Sequence, residues 1–288
     1  MTESPDHRPR RSALYMPASN ARALEKARSL LADVLILDLE DSVDPQSKET
    51  ARGQAVAELA KGGFGRRETV LRVNALATPW GVEDLKAAAH AKADAVLLPK
   101  VESAHEVREA ESLLAGTDLS IWCMIETPKG VLAAAEIAQA SKRQGCFVLG
   151  TSDLAKDLRC RHTPDRLALL FSLSQALLAA RAHGLACLDG VHLDLSDEAG
   201  FERACLQGRD LGFDGKTLIH PKSIEIANRI FSPGEGEIAT ARKITAAFEA
   251  ARAQGKGVVV VDGRLVEHLH VQEALRVLAL AEAIAGGF

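Results

Sequence analysis

The feature that most constrains this chain is a rhythm. Short aliphatic, β-type runs recur eight times, at 13–16, 34–39, 70–73, 95–98, 121–125, 146–149, 187–193 and 216–219. Between them lie longer segments such as 21–32, 103–114, 130–140 and 166–183, where Ala, Leu and charged residues fall at helical spacing. Strand followed by helix, repeated, predicts a parallel sheet covered by helices. Eight such units in about 220 residues suit a closed (β/α)8 TIM barrel, for which ~250 residues is typical; an open doubly wound sheet is the alternative.

After Pro221 the rhythm stops. A turn at 232–236, a helical stretch over 237–254, a hairpin over 258–267 turning at Asp262-Gly263, and a last helix near 270–285 form a C-terminal helix-hairpin-helix extension. The chain thus divides into a disordered tail (1–10), a barrel (11–230) and an extension (231–288) that packs on the barrel or on a neighbouring subunit.

Composition removes several classes of function. With 47% hydrophobic and 26% charged residues, the 288-residue chain reads as a soluble globular protein able to bury a full core. A net charge of -4 and an aromatic content of 4% supply neither the basic footprint nor the stacking platforms of a nucleic-acid binder. Five scattered cysteines without a C-x-x-C pair suggest reduced thiols and a cytoplasmic protein. The apolar run at 12–17 is too short for a signal segment, and no later run approaches the ~18 residues of a membrane span.

In a barrel of this kind chemistry collects where strands run into the following loops. Here those positions carry Asp38, Glu40 and Asp41; Arg72 and Asn74; Pro99-Lys100; Glu126; Thr151-Ser-Asp153; and His220-Pro221. Side chains two apart on a strand share a face, so Asp38 pairs with Glu40, Arg72 with Asn74, and Met124 with Glu126. Any one of these acids alone reads equally well as an N-cap or a surface ion pair. Gathered in one pocket they would repel unless a cation compensated, and hard oxygen ligands suit Mg²⁺.

Other motifs fail on inspection. Gly215-Lys-Thr217 ends like a Walker A loop, but its first glycine would fall at Asp210 and no helix follows. His268 and His270 open a helix in a region without other ligands and read as solvent-facing or interfacial. The serine-hydrolase elbow G-x-S-x-G and the dinucleotide fingerprint G-x-G-x-x-G do not occur.

Taken in order, Arg11-Ser-Ala-Leu-Tyr-Met-Pro17, Leu37-Asp-Leu-Glu-Asp-Ser-Val43 with Lys48 and Ala51-Arg52, Leu71-Arg-Val-Asn74, Leu98-Pro-Lys100, Ile125-Glu-Thr127, Gly150-Thr-Ser-Asp-Leu154, Asp189-Gly190 and Gly215-Lys-Thr-Leu-Ile-His-Pro221 resemble the citrate lyase β-subunit family of the HpcH/HpaI aldolase superfamily, which includes the malyl-CoA lyases. The resemblance covers about residues 11–285. It implies a homotrimeric, or dimer-of-trimers, Mg²⁺-dependent carbon–carbon lyase, with Mn²⁺ able to substitute, that joins an acyl-CoA to a small 2-oxo acid or reverses that step. Carried over by position, it makes Glu126 and Asp153 the metal ligands, Arg72 the catalytic arginine, and Tyr15 and Lys26 the CoA contacts. Glu40 and Asp41 would hold metal waters and orient Arg72.

Two positions depart from the family pattern. Ala18 follows Pro17 where glycine is usual, and Glu267 stands where the lyases carry an acid/base aspartate that reaches a neighbouring subunit's pocket. Alternatives on the same resemblance are a hydroxyacyl-CoA thioesterase, a citrate lyase subunit acting on a carrier-protein thioester, and a non-catalytic acyl-CoA-binding relative.

Overall fold

The structure, a computed structural model, describes residues 8–255 and 257–287. Eight parallel strands close into a barrel: β1 (Ser12–Pro17), β2 (Val34–Asp38), β3 (Glu68–Arg72), β4 (Ala95–Leu98), β5 (Ser120–Ile125), β6 (Gln144–Leu149), β7 (Ala186–Asp189) and β8 (Gly215–Leu218). β8 returns to β1 through the register Ser12↔Lys216, so the open-sheet alternative is excluded. The barrel sheet therefore has no open edge.

Alternation along the strands builds both core and site. Ala13, Val34, Ile36, Val70, Leu97, Trp122, Met124, Val148 and Leu188 fill the barrel interior. Two residues further along the same inward face, Val34 and Ile36 give way to Asp38, Val70 to Arg72, and Met124 to Glu126. The charged mouth is therefore the upper layer of the apolar core.

Several boundaries differ from the sequence expectation. β7 ends at Asp189 rather than 193, because its neighbour β8 pairs only with Leu188 and Asp189. The helix expected over 130–140 is two short helices, Pro128–Leu132 and Ala134–Ala138. The tail expected through residue 10 falls mostly on residues 1–7, outside the described residues. Arg10 itself is fixed, with Nε 2.6 Å from Glu68 and its guanidinium 5.3 Å from the Trp122 ring.

Residues 10–229 form one compact unit and residues 230–287 belong to another. In the second, the helices Glu235–Ala253 and His268–Ala285 flank a two-stranded antiparallel ribbon, β9 (Val259–Val261) and β10 (Arg264–Val266). Asp262 and Gly263 at its turn have φ of 50° and 76°, the pair of positive values that a two-residue type I′ hairpin requires. Among the described residues no helix is long and apolar enough to cross a membrane.

Candidate active site at the barrel mouth

Arg72 anchors the mouth. Its Nε and Nη2 donate to the two oxygens of Asp38 at 2.6 and 2.7 Å, a bidentate pair with Asp38 wholly buried. Nη1 lies 2.8 Å from Glu40 and 3.7 Å from Asp41, and the guanidinium sits 4.7 Å from the Tyr15 ring centre. Burial works against the Asp38 charge, but Arg72 and the N–H groups of Glu40 and Ser42 outweigh it and hold the carboxyl below the usual range. Burial likewise opposes the Arg72 charge, and Asp38 overcomes it. Both ions persist through the neutral range.

Lys100 joins the two sides of the mouth. Its ammonium donates to Glu40 at 2.6 Å and lies 3.8 Å from Asp41 and 3.7 Å from Asp153. Its backbone N–H donates to Glu126 at 2.7 Å. To do both, Lys100 adopts φ of 51°, a left-handed conformation costly for a residue with a Cβ and often retained at functional sites. Burial opposes the ammonium, but Glu40, Glu126 and Asp41 together hold its pKa above the ordinary lysine value.

Glu126 is 2% exposed, and burial, only partly offset by Lys100, pushes its carboxyl up to about 7. The backbone of Gly150 comes so close that a Cβ there would lie 2.3 Å from the Glu126 carboxylate, which explains a glycine at the end of β6. Asp153 occupies the first turn of the helix Thr151–Leu158, where the positive end of the helix dipole favours a carboxylate.

Behind this layer, Lys48 donates to the carbonyls of Leu39 and Glu40 and fixes the loop after β2. The buried Asp84 accepts from the Asn74 backbone and side-chain amides at 2.9 and 2.6 Å and from Arg52 at 2.6 Å, while Asn74 also donates to Leu39. Asp84→Ala would orphan these donors. It should cost about 3 kcal/mol, read by urea unfolding, with the loss concentrated in the barrel.

The sequence candidates therefore separate by location. Tyr15, Glu40, Asp41, Arg72, Glu126 and Asp153 come together around Arg72 and Lys100. Lys26 is exposed in the last turn of the helix Ala21–Ala27, outside that cluster. Glu267 belongs to the second compact unit, where it is the exposed N-cap of the helix His268–Ala285 and its backbone N–H donates to His270 Nδ1 at 3.0 Å. Ala18 is buried, donates to the Asp38 carbonyl at 2.9 Å and has no positive φ, so its position does not require glycine's freedom. Asp84 and the linking role of Lys100 were not apparent in the sequence; the signal for Lys100 was its place after the apolar run of β4.

Five carboxylates (Asp38, Glu40, Asp41, Glu126 and Asp153) face Arg72, Lys100 and, at the rim, Lys156, which lies 3.9 Å from Asp153, so negative charge is still in excess and a further positive charge is accommodated. Among the described residues no group of three or more His, Cys, Asp or Glu side chains is arranged to hold a metal. Two carboxylates with water and ligand oxygens completing the shell is the way Mg²⁺ is commonly held, and Glu126 and Asp153 fit that donor set.

A (β/α)8 barrel with an arginine and carboxylates at its mouth defines a class, and sequence comparison specifies it. Residues 11–221 match the HpcH/HpaI aldolase/citrate lyase family, to which the chain belongs. The (3S)-malyl-CoA thioesterase of Cereibacter sphaeroides (strain KD131) is 52% identical over 277 residues, covering 96% of each chain. Citrate lyase subunit beta of Escherichia coli (strain K12) is 37% identical, covering 96% of this chain and 94% of its own. Among solved structures, protein CitE of Mycobacterium tuberculosis in complex with magnesium, acetoacetate and coenzyme A superposes with a TM-score of 0.78 at 32% identity, covering 96% of this chain and 99% of that one.

Proposed function

We propose that this chain is a Mg²⁺-dependent enzyme of 3-hydroxyacyl-CoA thioesters and that its reaction is hydrolysis of a malyl-type thioester. The observation that carries the reading is the 52% identity, over nearly the whole length, to a (3S)-malyl-CoA thioesterase. The magnesium and coenzyme A of the CitE complex support the cofactor and the substrate class. Glu126 and Asp153 would hold the ion, which when bound supplies a Lewis acid for substrate oxygens.

The chain's own residues account for the rest of the chemistry. Arg72, held flat between Asp38, Glu40 and the Tyr15 ring, has an Nη2 N–H left to donate to the oxygen on which charge develops. Asp41, 61% exposed at the rim, is the carboxylate available to accept a proton from attacking water. The water oxygen bonds to the acyl carbon, the carbon–sulfur bond breaks, and the coenzyme thiolate takes up a proton.

The second reading is carbon–carbon cleavage of the same thioester into an acyl-CoA and a 2-oxo acid, which the family assignment favours. Incubation of the protein with Mg²⁺ and (3S)-malyl-CoA separates the two. Free CoA and malate in equal amounts are expected; acetyl-CoA and glyoxylate would overturn hydrolysis in favour of cleavage. Glu267→Ala sharpens the distinction, because hydrolysis moves no proton at the acyl α-carbon. Hydrolysis should stay within about threefold of wild type, whereas a lyase that uses Glu267 as acid/base would lose turnover.

Metal binding should depend on pH. With its carboxyl raised to about 7, Glu126 binds a proton in competition with the ion. Calorimetric Mg²⁺ affinity should fall roughly tenfold from pH 8 to pH 6, and a flat profile would remove Glu126 from the metal site.

A further inference from the structure

A second buried ionic cluster lies on the opposite face of the barrel wall. Asp189 and Lys216 are register partners on β7 and β8. Leu188, next to Asp189, faces the interior, so by alternation Asp189 and Lys216 point outward towards the helices. Both are essentially inaccessible, and Arg166 reaches them from the segment before the helix Leu170–Ala182 with its side chain 12% exposed. Arg166 holds a left-handed backbone, φ of 53°, in doing so.

Hydrogen bonding there is unbalanced. Asp189 Oδ1 accepts from Arg166 at 2.7 Å and from the Gly190 N–H at 2.8 Å; Oδ2 accepts from Arg166 at 2.8 Å and from Lys216 at 2.7 Å. These four hydrogen bonds, from three nitrogens because Arg166 Nη1 reaches both oxygens, fill the lone-pair sites of a carboxylate. Arg166 Nη2 and His192 Nε2, both buried, have no partner. One carboxylate thus faces two basic side chains, with donor capacity left over.

Neighbouring groups do not correct the charge. Burial, with help from Lys216, keeps His192 below its usual pKa, and burial pushes the Cys205 thiol up to about 12, so neither supplies a negative charge at neutral pH. The carboxylates that act on these two are engaged elsewhere: Asp194 with Ser196, Asp197 with the Gly200 N–H, and Glu202 with Arg229. Buried charge in excess of its partners is costly, and buried donors without acceptors are rare.

We propose that a small monovalent anion of the chloride class binds beside Asp189, held by Arg166 Nη2, which has no partner, and by the Lys216 protons not given to Asp189. The site is separate from the barrel mouth and does not depend on the reaction assigned there. The anion completes the charge balance of the β7–β8 wall.

Thermal unfolding of the full chain in sodium chloride against sodium gluconate, at fixed ionic strength and pH, reads it out. Raising chloride from about 1 to about 100 mM should lift Tm by about 3 °C if the dissociation constant is ~10 mM. Lys216→Met and Arg166→Gln each leave one cation on Asp189, so either should abolish the chloride dependence. Equal Tm values in both salts, or the same dependence in wild type and variants, would overturn the proposal. Should neither variant fold, bromide-soaked wild-type crystals decide: an anomalous peak within hydrogen-bond distance of Arg166 supports the site, and a water there overturns it.

Discussion

Arg72→Lys should lower kcat for hydrolysis of a malyl-type thioester by about a hundredfold or more, the scale seen on removing one oxyanion donor. Arg72 meets Asp38 with two parallel N–H groups and lies beside Glu40 with a third nitrogen, all in one plane against the Tyr15 ring. A lysine ammonium is a point charge. It can satisfy Asp38 or reach the substrate, but it cannot span both as a planar fork does. The same change leaves Glu126 and Asp153 in place, so Mg²⁺ affinity should remain near wild type while turnover falls. That split separates a catalytic arginine from a structural one. If Arg72→Lys instead keeps kcat within about threefold and only lowers the unfolding midpoint, Arg72 is a buried ion-pair partner of Asp38 and the oxyanion role belongs elsewhere.

The sequence made the barrel legible because each parallel strand, covered on both faces, is a nearly continuous apolar run, and eight such runs alternating with helices leave few architectures. Ends were less legible. Val191 and Leu193 extend the apolar pattern past Asp189, yet whether a strand continues depends on its neighbour, and β8 offers no further pairing there. Likewise Asp38, Arg72 and Glu126 stand out because they interrupt inward apolar positions of their own strands. Lys100 was harder to place. Its bond to Glu40 spans 60 residues and its bond to Glu126 needs a positive φ, neither of which a local pattern encodes. The cluster of Arg166, Asp189 and Lys216 is hidden for the same reason: Lys216 lies inside a misleading Gly-Lys-Thr motif, and its partner is a residue on the adjacent strand. Tyr15 and Lys26 were both reached through family resemblance as CoA contacts; Tyr15 lies under Arg72 and Lys26 is solvent-exposed on a helix, so proximity to the mouth supports only the first as a neighbour of the chemistry.

Glu126→Gln should abolish Mg²⁺ binding and turnover while stabilising the metal-free protein at alkaline pH. Glutamine preserves the shape and keeps an oxygen to accept the Lys100 N–H, which lies 2.7 Å away. It removes the charge that burial opposes. In the folded wild type the carboxyl titrates at about 7 against 4.5 for the ordinary side chain. Because the folded pKa is the higher one, the folded state binds the proton more tightly than the unfolded state between those values. Wild-type stability therefore falls as pH rises from about 4.5 to about 7, by about 3 kcal/mol in all, and the loss persists above that range. Without Mg²⁺, the glutamine variant should match wild type near pH 5 and exceed it near pH 8. Added Mg²⁺ reverses the order, since an ion bound only by folded wild type stabilises it through mass action and has no ligand charge to bind in the variant. Denaturation midpoints of both proteins at the two pH values, with and without the ion, contain the whole comparison. A variant that is destabilised at both pH values, or that gains as much from Mg²⁺ as wild type, would show that the Glu126 charge is satisfied within the protein and that the ion is held by other residues.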